Sequence, residues 1–272
     1  GMPDCPAPQA LKDAACRAIQ DDVNQYAIPW GAHGLRHAIA EHAAWHLGLA
    51  VDPEEEITVT CGSTEAMLVA LLSLINPGDE VILSQPFYEN YWPDCMLAGA
   101  TPRFVPVRPP HWKFDPDELA AAFNDKTKAI VLCNPTNPTG AVFAREDLEV
   151  IADLCRKWDA IAITDEIYEH ILFDGRAFVS FGKACPELKD RTLIVNGVSK
   201  SYAMTGWRVG YAAGPAPLVK AMSTIQSQSV TSVSSIMQAA TVAALNGPQD
   251  DVARFREAFE RRRNLVVDGI RQ

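Results

Sequence analysis

The sequence predicts an α/β fold: a mostly parallel seven-stranded sheet sandwiched by helices. Three observations predict it. Short β-branched runs recur along the 272 residues, amphipathic stretches at helical spacing lie between them, and Pro, Gly and Asn turn signals separate the two. Composition agrees, because 48% hydrophobic and 21% charged residues are ordinary for a chain that buries a sizeable core.

Taken in order, the runs are ITVTC (57–61), EVILS (80–84), RFVPV (103–107), KAIVLC (128–133), AIAITD (160–165), TLIVN (192–196) and WRVGYAA (207–213). TEAMLVALLSLI follows the first run. Its apolar stretch from Ala66 to Ile75 falls far short of the ~20 residues of a membrane span and reads as a core helix. Asn76-Pro77-Gly78-Asp79 turns the chain into the second run, and REDLEVIADLCRKW supplies an amphipathic helix between the fourth and fifth. After Tyr211 the pattern is helical only, from Ala216 through SSIMQAATVAALNG to DDVARFREAFERRRNLVVDGI. The Arg261-Arg262-Arg263 run there reads as a solvated helix face.

A formal charge of −10 and a pI near 5.1 disfavour nucleic acid or an anionic membrane as partner. Seven widely spaced cysteines with no CxxC pair read as single buried thiols in a reducing compartment, which implies a cytoplasmic location. The opening GMPDCPAPQ has neither the basic region nor the apolar core of an export signal. His33, His37, His42 and His46 form i,i+4 pairs, but the pattern offers no carboxylate or cysteine to complete a set, so no metal is expected.

In an open sheet, ligands bind beyond the carboxyl ends of the strands. After the first run, Gly62-Ser63-Thr64 opens a helix whose N–H groups and dipole suit a phosphate, though a plain Ser/Thr helix cap explains the same residues. After the fourth, Asn134-Pro135-Thr136-Asn137-Pro138-Thr139-Gly140 is a rigid turn that either aims the Asn137 amide into a site or is purely structural. After the fifth, TDEIYEH sets Asp165 and Glu166 at a strand end with Tyr168 just beyond; Asp165 as a helix cap is the alternative. After the sixth, Lys200 follows Gly197-Val198-Ser199, and Met204-Thr205-Gly206-Trp207-Arg208 comes next. An amine nucleophile and a phosphate-binding guanidinium thus share one segment, where simple solvation of the lysine is the competing reading.

Together these motifs resemble the fold-type I, pyridoxal 5′-phosphate (PLP)-dependent class I/II aminotransferases, and within them the branch of kynurenine, glutamine and methionine aminotransferases. NPTNPTG and SKSYAMTGWR carry the resemblance, which runs to about Gly214. It implies amino transfer between an amino acid (neutral, aromatic or sulfur-containing) and a 2-oxo acid. A C–S β-lyase, or a truncated PLP-binding protein with little activity, are the alternatives.

By the same resemblance, PLP would sit on Lys200 as a Schiff base, and Lys200 would then move the proton between Cα and C4′. Asp165 would pair with the pyridine nitrogen and keep it protonated. Tyr168 and Asn137 would hydrogen-bond the ring oxygen O3′, and Tyr88 would stack on the ring. Gly62, Ser63, Thr64 and Arg208 would hold the phosphate, joined by Tyr26 from the second subunit of a homodimer. Asn137 and Gly1 would face the substrate. Residues 1–30 would form an N-terminal segment near the substrate and the dimer interface, and 31–246 the cofactor domain. Residues 247–272 would begin a helical connection to a largely absent small domain, which carries the family's carboxylate-binding arginine. Gly197 stands where the family often has serine, implying one phosphate contact missing or replaced.

Overall fold

The computed structural model describes residues 3–271. Eight strands form one sheet in the order β1-β8-β7-β6-β5-β2-β3-β4. They are β1 (Ile57–Thr60), β2 (Glu80–Gln85), β3 (Thr101–Arg108), β4 (Lys113–Phe114), β5 (Thr127–Cys133), β6 (Ile161–Asp165), β7 (Thr192–Gly197) and β8 (Gly210–Ala213). All seven expected runs become strands. The eighth, β4, is a two-residue antiparallel pairing of Phe114 and Lys113 with Val107 and Arg108, too short to leave an alternating pattern in the sequence.

Strands β3, β2, β5, β6 and β7 are parallel, whereas β8 runs antiparallel to both β7 and β1. This reversal positions the site. Because β8 points the other way, its entry lies at the same sheet edge as the exits of β1, β2, β5, β6 and β7. The last run is also shorter than expected. Thr205–Trp207 form a 3-10 turn, Arg208 takes a left-handed backbone (φ 55°), and pairing starts only at Gly210.

The helices are α1 (Gln9–Gln20), α2 (His33–His42), α3 (Gly62–Leu74), α4 (Tyr91–Ala98), α5 (Pro116–Ala122), α6 (Arg145–Trp158), α7 (Phe181–Ala184), α8 (Ala216–Ser229), α9 (Ser235–Asn246) and α10 (Asp250–Arg271). They cover both sheet faces, so the central strands are apolar on both sides. Val81, Leu83, Ala129, Val131, Ile163 and Val195 point into one core with Met67, Leu71, Cys95 and Met222 of α3, α4 and α8. Ile82, Ile130, Leu132 and Ala162 point into the other with Leu119, Leu148, Ile151 and Phe181 of α5, α6 and α7. Period-two alternation sorts neighbours to opposite faces. Each Val, Leu, Ile, Met or Phe side chain among them taken out of water contributes about 1.5–3 kcal/mol.

The Arg261-Arg262-Arg263 run lies on a solvent-facing side of α10 as expected, and there Arg262 also pairs with Asp4 at 2.6 Å while the half-buried Arg263 grips both oxygens of Asp174 at 2.9 and 2.5 Å. One expectation needs correction. Cys95, Cys133, Cys155 and Cys185 are buried free thiols, but Cys16 is exposed. Among the described residues no helix is long and apolar enough to cross a membrane.

Candidate active site

At the shared sheet edge lies a cavity of about 450 Å³, lined by Ser63, Thr64, Tyr88, Tyr91, Cys133, Asn137, Asp165, Ile167, Tyr168, Ser199, Lys200, Thr205 and Arg208. One end is built from α3 and the turn before β8. Neither Ser63 nor Thr64 caps α3. Cys61 occupies that position, its N–H donating to Glu65 Oε2 at 2.6 Å. The Arg208 guanidinium lies over this turn, donating to Thr205 O at 2.9 Å and Cys61 O at 3.2 Å.

Glycines make the approach feasible. Gly62 has φ +78°, and a Cβ there would lie 2.4 Å from Arg208 Nη2, while a Cβ on Gly210 would meet the Gly62 C and Ser63 N atoms at 2.3 Å. A helix N-terminus, two hydroxyls and a guanidinium therefore meet in one cradle suited to a phosphate. Gly197 belongs to the same packing: a Cβ there would come within 2.9 Å of Gly210 Cα and Val209 O, so this backbone leaves no room for serine.

The far wall comes from β5, β6 and their exits. Asp165 is 6% exposed; its Oδ1 accepts the Ile167 N–H at 3.2 Å and its Oδ2 the Tyr91 hydroxyl at 2.7 Å. The cap-like role foreseen for Asp165 thus occupies only one oxygen. Burial raises its carboxyl above the ordinary value, opposed by the Tyr91 and Ile167 hydrogen bonds and by the charge of Lys200. Lys200 is half-buried, with Nζ 5.9 Å from the centroid of the Tyr168 ring. Burial lowers its ammonium pKa, Asp165 resists the shift, and Arg208 adds to it.

Asn137 Nδ2 donates to the Tyr168 hydroxyl at 3.4 Å, and Asn137 N–H donates to Cys133 Sγ at 3.4 Å. The turn before it is tied down by Thr136 Oγ1 donating to Cys133 O, and by Asn134 Oδ1 accepting the Phe143 N–H. Tyr88 packs edge-on against Tyr91, ring centroids 5.7 Å apart. Within one chain Tyr26 is not brought to this cavity and is 84% exposed. Gly1 lies outside the described residues. Sequence reasoning missed Tyr91, Cys133, Ser199 and Thr205. Tyr91 had a signal, since PFYENY sets it one helical turn beyond Tyr88.

The histidines also need correction, because the fold supplies the carboxylates the pattern lacked. Glu54 lies 3.4 Å from His33 and 3.1 Å from His37, and Glu169 lies 3.1 Å from His42. Glu169 is 127 residues away in sequence from His42, beyond any local spacing rule.

The model of the family "aminotransferase class I and II" matches residues 2–272. The chain belongs to that family. This aminotransferase is 38% identical over its whole length to aspartate aminotransferase of Geobacillus stearothermophilus, spanning 69% of that protein. It is 42% identical to aspartate/prephenate aminotransferase of Thermus thermophilus, covering 99% of this chain and 70% of that one. Among solved structures, aspartate aminotransferase from Rhizobium meliloti superposes with a TM-score of 0.96 at 40% identity, over 99% of this chain and 68% of that one. N-succinyldiaminopimelate aminotransferase from Mycobacterium tuberculosis gives 0.96 at 35% identity, over 99% and 71%. These relatives carry aspartate, prephenate and succinyldiaminopimelate names rather than those of the kynurenine, glutamine and methionine branch. The aminotransferase is PLP-dependent and acts on amino acids and 2-oxo acids. Its cavity fits that cofactor by donor chemistry: an anion cradle at one end, and a buried carboxylate and a lysine further in.

Proposed function

We propose that Lys200 carries PLP and acts as the proton carrier of transamination in the 31–246 cofactor unit. One observation supports this reading above the rest. Lys200, Asp165, Asn137, Tyr168 and Arg208, from three separate segments of the chain, line a single cavity. Gly62, Ser63, Thr64 and Arg208 would hold the phosphate, Asp165 the ring nitrogen, Asn137 and Tyr168 the ring oxygen, and Tyr88 the ring face.

When bound, the cofactor supplies an electron sink for the charge left at the substrate Cα. The chain supplies the rest. Lys200 takes the proton from Cα and delivers it to the cofactor's C4′, and its lowered pKa favours the neutral amine that this requires. Asp165 holds a proton on the ring nitrogen, and Tyr91 fixes the carboxylate that does so. Borohydride reduction of the purified protein, followed by peptide mapping, is expected to trap the cofactor on Lys200. A Lys200→Ala variant that kept the same covalent adduct would overturn the assignment.

For the amino donor, the names of the relatives favour aspartate over the neutral, aromatic or sulfur-containing amino acids that the motifs suggested. A panel of donors with 2-oxoglutarate ranks them, and pyruvate released from S-conjugated amino acids without an acceptor would point to β-elimination instead. The assembly proposed is a homodimer in which Tyr26 reaches the partner's phosphate. The exposure of Tyr26, Ile28 and Trp30 on one N-terminal stretch (84%, 43% and 39%) supports it. The proposed location is the cytoplasm, from the wide cysteine spacing.

A further inference from the structure

Outside the cofactor cavity, one buried cluster of chemistry stands apart. His42 ends α2, His46 lies in the single π-helical turn Ala43–Leu47 that follows, and Glu169 and His170 come from the turn after β6. The Nε2 atoms of His42, His170 and His46 face the Glu169 carboxylate at 3.1, 3.6 and 3.9 Å. One donor atom from each of the four residues fits within 4.8 Å of all the others. His42 and Glu169 are 2% and 4% exposed, and the His46 and His170 rings stack with centroids 4.1 Å apart.

This cluster is poorly satisfied by the protein itself. His46 Nε2, His170 Nε2, His42 Nδ1 and Glu169 Oε2 are buried without a hydrogen-bond partner, whereas buried polar groups are nearly always paired. The His42–Glu169 hydrogen bond joins the other atoms of that pair, Nε2 and Oε1, at 3.1 Å. Burial pushes the His170 imidazole down to about 4 and lowers that of His46. Burial opposes the charge on Glu169, and the His42 hydrogen bond works against burial to lower its carboxyl.

We propose that His42, His46, Glu169 and His170 bind one zinc-class divalent ion as a closed structural site. Three imidazoles and a carboxylate make a four-ligand set suited to zinc rather than to magnesium or calcium, which take oxygen ligands. A zinc tetrahedron with bonds of about 2.0–2.1 Å has edges of roughly 3.3 Å, and side-chain rotation brings the donors to that spacing. The π turn contributes by widening the helix between His42 and His46, as such turns often do at functional sites. The ion would clamp α2 to the turn that carries Tyr168, next to Glu169, and so stiffen the cofactor cavity from behind. The other group, His33, His37 and Glu54, is largely exposed, and its carboxylate already engages the Arg36 guanidinium. It serves as an internal control.

The test uses purified, PLP-loaded protein stripped with a chelator and titrated with Zn²⁺ or Co²⁺, with metal content measured after dialysis. The expected result is one ion per chain, a tetrahedral cobalt absorption at wavelengths longer than the cofactor band, and a zinc-dependent rise in thermal midpoint. His46 sits at the rim, 22% exposed, so His46→Ala should fold. It is expected to weaken binding by more than the roughly 100-fold that loss of an outer-shell partner costs, and to abolish the thermal response. A His33→Ala, His37→Ala double variant should bind as the parent does. Failure of the parent to retain an ion would overturn the proposal, and so would binding that survives His46→Ala but disappears in the double variant.

Discussion

At Asp165 the two carboxylate oxygens face different partners, the Ile167 amide on one side and the Tyr91 hydroxyl on the other. Tyr91→Phe removes a hydrogen bond that holds down a carboxyl already raised by burial. The folded pKa of Asp165 should then rise further, so the acid limb of the activity profile moves to higher pH. A buried acceptor left short of a partner costs about 1–3 kcal/mol, readable in a urea titration; an unmoved profile would show that Tyr91 does not tune Asp165. Asp165→Asn keeps an oxygen for the Ile167 N–H but loses the charge. Its single-turnover half-reaction should slow on the order of 100-fold or more, as when one electrostatic partner is lost at a reacting centre, with the fold retained. Near-normal rates would leave Asp165 as a turn cap only. Asp165, Lys200 and Asn137 were legible in the sequence because each sits where a strand run stops. Glu169 was not, since nothing local ties it to His42.

At the scale of elements, the runs of the central strands β2, β5, β6 and β7 were legible because strands buried on both faces must be apolar, whereas β3, exposed over much of its length, was legible from its β-branched residues. The start of β8 was not. Trp207-Arg208-Val209 looks like strand in composition, and only the left-handed backbone at Arg208 delays pairing to Gly210. Close packing of β8 on the first turn of α3 makes Gly210→Ala an overpacking change. It should cost about 1–3 kcal/mol and weaken cofactor affinity more than a matched Gly206→Ala change, whose added Cβ meets open space. Asp94, in the first turn of α4 and 5% exposed, gives a second test. Burial raises its carboxyl to about 6. The folded state thus holds the proton more tightly than the unfolded chain, and that contribution is complete below about pH 4 and lost as pH rises to about 6. Asp94→Asn removes the loss while keeping an acceptor for Asn90 Nδ2. Relative to the parent it should gain stability across that window, at most about 3 kcal/mol, and stay level above it. A difference that is flat with pH would rule out the shifted carboxyl.

At the scale of the molecule, the proposed homodimer predicts complementation between defective chains. A Tyr26→Ala subunit paired with a Lys200→Ala subunit contains one site with both native residues. Mixing the two after mild dissociation should restore up to half of the parent's activity per mixed dimer, with cofactor retained, whereas each variant alone stays low. Absence of recovery in mixed dimers verified by mass would place Tyr26 outside the partner's site. The sheet order carries another consequence, one for biosynthesis. Among the described residues the one strand that hydrogen-bonds to β1 is β8, so about 150 residues must emerge after Thr60 before Gly210 can pair with it. At ordinary translation rates of about 5–20 residues per second this takes roughly 8–30 s. Throughout that interval Ile57 and Val59, which end fully buried, belong to an unpaired hydrophobic strand on the ribosome. It is a natural handle for chaperones and, in their absence, for aggregation with neighbouring nascent chains.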